Sequence, residues 1–258
     1  HMADKRYAVV SCHVEQPLDD ATWARFAAFQ SARPGGFRIA ALVRPPHDGE
    51  DSTTWLERAR EAAARGPLGH HTHWTSPSHA RPSGGPTGER VRREGAWLRE
   101  RGLTATLFCG GGWYTDHSVA LACAELGYVD CTPRATRPPY LAAGAAWAEL
   151  DTPARIDLGQ GVLAAVPTTH GAGDLARALV RPELPPRVHA YFHDTDLVDR
   201  RRRALILAGL TVLGRRRPPA DLGAVAASVG GPERAWAEVA GAAGRAHRGA
   251  GDQLRGAV

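Results

Sequence analysis

Gly69-His70-His71-Thr72-His73-Trp74-Thr75-Ser76-Pro77 sets three of the chain's 12 histidines within four residues, between Pro67-Leu68 and a closing proline, with His79 close behind. Taken as the end of a β-strand running into a loop, alternate side chains share a face, so His71 and His73 point the same way. Two imidazoles so placed can grip one metal ion. Neutral imidazole suits Zn and also Fe, Ni or Cu, and a catalytic site usually has three protein ligands and a position left open for water. An acidic or histidine partner must then come from elsewhere in the chain. The alternatives are a histidine-rich surface loop, or one histidine satisfied in a core.

Outward from this stretch the chain alternates strand and helix. Tyr7-Ala8-Val9-Val10-Ser11-Cys12 is a short β-type run that delivers His13-Val14-Glu15 to its end, and Asp19 or Asp20 caps a helix through Trp23, Phe26 and Phe29. Phe37 to Val43 predicts a second strand, followed by a helix across Trp55 to Arg65. A helix over about Glu89 to Arg101 ends at Gly102, and Leu103 to Phe108 predicts a strand closing on Cys109-Gly110-Gly111-Gly112-Trp113-Tyr114. Asp116 or Ser118 starts a further helix, Tyr128 to Cys131 is a short strand, and Thr132 to Gly144 is a Pro-rich loop. Gly161 to Val166 leads to Pro167-Thr168-Thr169-His170, and Val188 to Phe192 leads to His193-Asp194-Thr195-Asp196. Arg201 to Leu213 is an amphipathic helix whose Leu205, Leu207 or Ala208, and Val212 are expected to face a core. From Pro218 the chain is Ala- and Gly-rich, helical in places and frayed toward its end. Such alternation predicts an α/β fold with parallel strands, and in a barrel of parallel strands the loops carrying these polar residues gather on one face.

Composition sets the outer bounds. His1-Met2 reads as a cloning remnant. Hydrophobic residues at 43% and charged residues at 23% describe a globular protein. No apolar run approaches a membrane span and no signal-like segment precedes the first strand, so a cytoplasmic protein without a membrane partner is expected. Cys12, Cys109, Cys123 and Cys131 have no CxxC spacing and sit in apolar segments, which predicts reduced, buried thiols; a nucleophilic cysteine beside His13 is the lesser alternative. The net charge of +5 comes with two arginine runs, 200–203 and 215–217, which read as solvated helix faces; nucleic-acid binding is not expected.

In order along the chain, these segments resemble the polysaccharide deacetylase, or NodB-homology, superfamily, in a divergent branch with an acid-x-acid first motif. Ser11-Cys12-His13-Val14-Glu15 looks like the family's Ser-x-Asp-x-Glu, and Gly69 to Pro77 looks like its Gly-x-His-x-His segment followed by Trp and Pro. Phe108 to Tyr114, Val166-Pro167-Thr168-Thr169 and Tyr191-Phe192-His193-Asp194 resemble the later motifs. The resemblance covers about Tyr7 to Leu213.

It implies a distorted (β/α)7 barrel over residues 3–217, with residues 218–258 as a helical, fraying extension. It also implies a divalent metal, most often Zn, held by Glu15, His71 and His73, and hydrolysis of the N-acyl (acetyl) group of an amino sugar or small sugar-like substrate. His193 matches the family's general acid. His13 stands where the family has its aspartate base, and Cys109 where it has an arginine; His13 is then base or third histidine ligand. These departures fit altered chemistry, and equally a barrel that has lost activity and binds carbohydrate or a partner protein. Trp74, Trp113 and Tyr114 form a sugar-stacking wall or pack in the core. His170 lines the pocket or faces solvent. Asp194 or Asp196 orients His193, or caps the next helix. The glycine run lets backbone approach a ligand or makes a tight turn.

Overall fold

The first strand shows why this sheet is buried on both faces. In a computed structural model, which describes residues 5–240, β1 (Tyr7–Val14) has no exposed residue. Its even positions, Ala8, Val10, Cys12 and Val14, pack under helices, while Tyr7 and Val9 join a separate interior cluster. A strand covered on both sides reads as continuous apolar sequence.

The helices start where short polar side chains occupy the free N–H groups. Asp19 accepts from Thr22 N ahead of α1 (Asp20–Ala32). After β2 (Ala40–Val43), Asp51 accepts from Thr53 N and Thr54 N ahead of α2 (Ser52–Arg65). β3 (Leu68–Thr72), α3 (Thr87–Glu100) and β4 (Leu107–Gly110) follow, then α4 (His117–Glu125) capped by Asp116. β5 (Val129–Asp130), β6 (Ala154–Asp157), β7 (Val162–Ala165) and α5 (Ala172–Leu179) lead to β8 (Arg187–His193) and α6 (Arg200–Arg216). The described part ends with α7 (Leu222–Ala227), β9 (Glu233–Ala235) and α8 (Trp236–Val239).

The sheet order is β8-β1-β2-β3-β4-β5-β7-β6-β9, parallel from β8 through to β7, with β6 antiparallel to β7. β8 meets the segment that follows β7 at an isolated bridge: His170 N donates to His189 O and Tyr191 N to His170 O. That single seam closes seven parallel strands into a distorted barrel, the architecture expected. Inward positions include Val9, Leu42, Leu107, Cys109 and Cys131, and Leu222, Val225 and Ala226 of α7 pack against them. Gly69 sits where a Cβ would fall 2.0 Å from Leu42 Cδ2 and 3.1 Å from Leu107 Cβ, so a larger residue would have to displace these buried side chains. Residues 218–240 pack on the barrel: Ala8 N donates to Pro218 O, Ala220 N to Ala8 O, and β9 pairs with β6. The fraying expected toward the end falls beyond residue 240, outside the described residues.

One helix face differs from expectation. In α6, Ile206, Leu210 and Leu213 are buried, whereas Leu205, Leu207 and Val212 are 50%, 48% and 39% exposed. Backbone contact fixes this rotation. A Cβ at Gly214 would fall 2.2 Å from Gly35 O, and one at Gly35 would fall 2.2 Å from Leu210 O. The helix presses its 210/214 side onto the Pro34–Gly36 turn, so the face is chosen by two glycines rather than by the apolar count.

Candidate metal centre

Strand alternation brings the polar side chains to one rim. β1 carries Ser11 and His13 inward and then Glu15, β3 carries His71 and then His73, and β8 carries His189, Tyr191 and His193. There Glu15 Oε1 lies 3.2 Å from His71 Nε2, 3.3 Å from His73 Nε2 and 3.5 Å from His193 Nε2. The Nε2 atoms of His71 and His73 are 3.2 Å apart.

The opposite ring nitrogens decide what these atoms carry. His71 Nδ1 donates to Cys109 O at 2.8 Å and His73 Nδ1 donates to Pro77 O at 2.9 Å. A carbonyl only accepts, so both Nδ1 atoms hold hydrogens, and in the neutral form of each ring the Nε2 lone pair faces Glu15. Three acceptors facing one another at this range repel unless a cation or proton lies between them. Two imidazoles and one carboxylate, with carbonyls orienting the rings from behind, suit a divalent metal such as Zn. The residues present fit the group.

His13 completes a second set: its ligand atom and those of Glu15 and His193 lie within 4.8 Å of one another. Its ring stacks on Tyr191 at 4.9 Å and lies 4.6 Å from His71 and 5.4 Å from Trp113. His13 Nε2 is buried without a hydrogen-bond partner. Burial first, then the neighbouring His71 and His193, hold its pKa well below the usual histidine value, so the ring is neutral at pH 7. His193 shows the reverse. Burial pulls its pKa down, but Asp196 beside its Nδ1 at 3.7 Å and the Glu15 charge outweigh that and raise it. Burial likewise works against the Glu15 charge, yet the surrounding His71, His73 and His193 outweigh it and hold its carboxyl well below the carboxylate range, as a cation or proton shared among these groups requires.

The remaining expected residues divide. Trp113 reaches the site from a left-handed backbone position, φ 61°, just after the glycine run. Those glycines make a tight, close-packed turn: a Cβ at Gly110 would fall 2.2 Å from Tyr114 O and one at Gly111 2.5 Å from Thr72 O. Trp74 and Tyr114 instead meet each other at 5.1 Å, and Tyr114 OH donates to Asp116. Asp194 is fully buried and accepts from Gln16 N and Thr195 N, latching the end of β8 to the residue after Glu15; burial pushes its pKa to about 6. His170 stands on the seam beside Thr169, in a cavity that Arg177 and Arg187 also line. Cys109 contributes its carbonyl; burial, then Cys131 and Asp130, keep its thiol protonated.

Sequence reasoning missed Tyr191 and Arg134. Tyr191 lies two residues before His193 and hence on its face, a signal that alternation offered. Arg134 lies in a Pro-rich loop with no pattern to mark it, yet its guanidinium covers Trp113 at 4.3 Å and Tyr191 at 5.4 Å.

No family model matches the chain, and no curated protein matches it. Among solved structures it is similar to 4-α-glucanotransferase from Thermococcus litoralis, with TM-score 0.51 and 14% identity over 88% of this chain. The chain spans 39% of that protein, and at this identity the likeness concerns the fold alone. It is also similar, with TM-score 0.45 and 16% identity, to a candidate polysaccharide deacetylase involved in O-antigen biosynthesis from Bordetella bronchiseptica, over 86% of this chain and 90% of that one.

Proposed function

We propose that this protein is a metal-dependent hydrolase that removes an N-acyl, typically acetyl, group from an amino sugar or a small sugar-like intermediate. The observation that carries the reading is the convergence of Glu15 Oε1, His71 Nε2 and His73 Nε2 within 3.2–3.3 Å. These three would hold the ion, with Zn the best match to the donor set. Bound there, a divalent metal polarises an amide carbonyl and acidifies a water molecule.

The chain's own groups supply the proton transfers. His13 is neutral at pH 7 and has an unengaged Nε2, so it accepts the proton of the attacking water. His193, its pKa raised with the help of Asp196, delivers a proton to the leaving amine. Trp113 and Tyr191 flank His13 and exclude water from that side. Among the described residues the cysteines are buried and unpaired, which fits a reducing compartment such as the cytoplasm, and no helix is long and apolar enough to cross a membrane. The arginine runs tie loops together, Arg203 to Leu197 O and Arg216 to Leu179 O, which lessens the case for nucleic acid.

A second reading rests on Cys109 and His13, which stand where the resembling family has arginine and aspartate: a barrel without activity that binds carbohydrate or a partner protein. Elemental analysis of protein purified without added metal, beside His71→Ala/His73→Ala, tests the first reading. About one equivalent of metal, lost in the variant, together with acetate release from N-acetylated sugars, is expected. Metal binding without hydrolysis leaves the second reading; no metal, and none taken up on titration, ends the hydrolase reading.

A further inference from the structure

Arg134 is 4% exposed, and its Nε and Nη1 atoms have no hydrogen-bond acceptor. Its position is not accidental slack. Arg134 N donates to Ala148 O, Leu150 N donates to Arg134 O, and Thr168 N donates to Pro133 O, so the backbone is held on both sides. The guanidinium carbon lies 4.3 Å from the Trp113 ring centre and 5.4 Å from that of Tyr191, two rings set at 78° to each other. The rings answer the charge but supply no hydrogen-bond acceptor for Nε and Nη1.

Neighbouring carboxylates do not absorb this charge. The nearest, Asp174 Oδ2, is 3.8 Å from Arg134 Nη2, is about half exposed, and is already paired with Arg177 at 2.6 Å. Asp196 serves His193 and Arg202. One positive charge is left over, on a side chain built into the wall of a cavity of about 450 Å³ that His193, Tyr191, Tyr140 and Arg202 also line. That volume is in the range that holds a small ligand. Two buried, unpaired guanidinium N–H donors in the wall of a cavity that His193 also lines match an oxygen of a carboxylate or phosphate.

We propose that Arg134 is a specificity-determining anchor for an anionic group, carboxylate or phosphate, carried on the substrate close to its N-acyl group, so that the substrate class is an acidic or phosphorylated N-acyl amino sugar. This rests on the hydrolase reading for the word substrate; the anchor itself is a binding property that exists without hydrolysis.

The test is calorimetric titration of the full chain with N-acetylglucosamine, N-acetylglucosamine 1-phosphate and N-acetylmuramic acid. Parallel titrations use Arg134→Met, which keeps the packing length over Trp113 and Tyr191, Arg134→Lys, and the metal-site variant His71→Ala/His73→Ala. At least one acidic sugar is expected to bind tenfold or more tightly than N-acetylglucosamine, to weaken with added NaCl, and to lose that advantage over N-acetylglucosamine in Arg134→Met. Arg134→Lys is expected to lose the larger part of a carboxylate preference, because the fork is gone, and less of a phosphate preference; the two acids thereby separate the two anions. Retention of the preference in the metal-site variant, with no hydrolysis by wild type, would discard the hydrolase reading and keep the anchor. Equal binding of all three sugars to wild type, no binding of any of them, or a preference that survives in Arg134→Met overturns the anchor. The wild-type comparison stands even where a variant does not fold.

Discussion

The two faces of β3 carry similar residues to different ends. Outward, His70 Nε2 contacts Glu94 Oε1 at 3.0 Å, His70 Nδ1 contacts Tyr128 OH at 3.1 Å, and Thr72 Oγ1 donates to the same Glu94 oxygen. Inward, His71 and His73 meet Glu15 at much the same distances. Both clusters are buried pairings of imidazole and carboxylate. On the outer face, however, Tyr128 OH can donate to His70 Nδ1, which frees Nε2–H for Glu94, so the network is complete within the protein. On the inner face both histidines spend their hydrogens on carbonyls, and three acceptors are left facing one another. Residue type and spacing therefore do not by themselves mark a candidate metal centre; the partner of the far nitrogen separates the two clusters.

The largest expected effect breaks the inner face. His71→Ala/His73→Ala should abolish metal binding and lower any N-acyl hydrolysis by about a thousandfold or more, while urea unfolding of the metal-free protein loses about 2–5 kcal/mol for two buried rings and their bonds to Cys109 O and Pro77 O. Elemental analysis, acetate release and denaturation read the three parts. Unchanged metal content would erase the distinction between the faces.

The outer face should answer in stability alone. Glu94→Gln leaves His70 and Thr72 with a poorer partner and should cost about 1–3 kcal/mol by urea unfolding, with metal content intact. Its pH signature has a definite sign. Burial raises the Glu94 pKa, but His70 and Arg90 outweigh it and the folded value is depressed, so its stabilisation is present above the unfolded carboxylate pKa and is lost as pH falls through the folded one. Unfolding across that acid range should be flatter in the variant.

Asp130 sharpens the point because it is a buried carboxyl whose side-chain oxygen is met by Thr132 alone. Burial pushes it to about 6. A raised carboxyl favours the folded state below the unfolded pKa and loses that advantage as pH rises through about 6. Asp130→Asn should therefore gain roughly 1–3 kcal/mol relative to wild type at pH 7.5 and show little gain at pH 4. The smallest effect is expected at Cys109, whose carbonyl, not its thiol, orients His71. Cys109→Ala should cost about 1 kcal/mol for the small cavity and leave metal content unchanged. Loss of metal there would make the thiol a ligand.

Much of this fold was legible because its elements are bounded by residues with one physical meaning. Asp19 and Asp116 cap helices as their types demand, and Gly102 takes the left-handed position after α3. The shared face of His71 and His73 followed from alternation, whereas Glu15 entered as their partner through the family resemblance. β6 and α5 were not legible: Ala154–Asp157 is four residues without an apolar run, and α5 starts in Gly171-Ala172-Gly173. The inward face of α6 was misread because two glycine contacts, remote in sequence, set it. Arg134 stayed hidden because its meaning lies in what it fails to touch.

The pairing of β1 with β8 places Ser11 beside His189, 178 positions away, and His13 beside His193. Glu15 thus meets His193 only after nearly the whole barrel has been threaded and its first and last parallel strands have docked. Such distant pairing is slow to form. A nascent chain still lacking β8 already carries Glu15, His71 and His73 but not His193 or the closed ring around them, so an ion would be held loosely at first and firmly once β8 has docked, and would act as a clasp on the assembled ring.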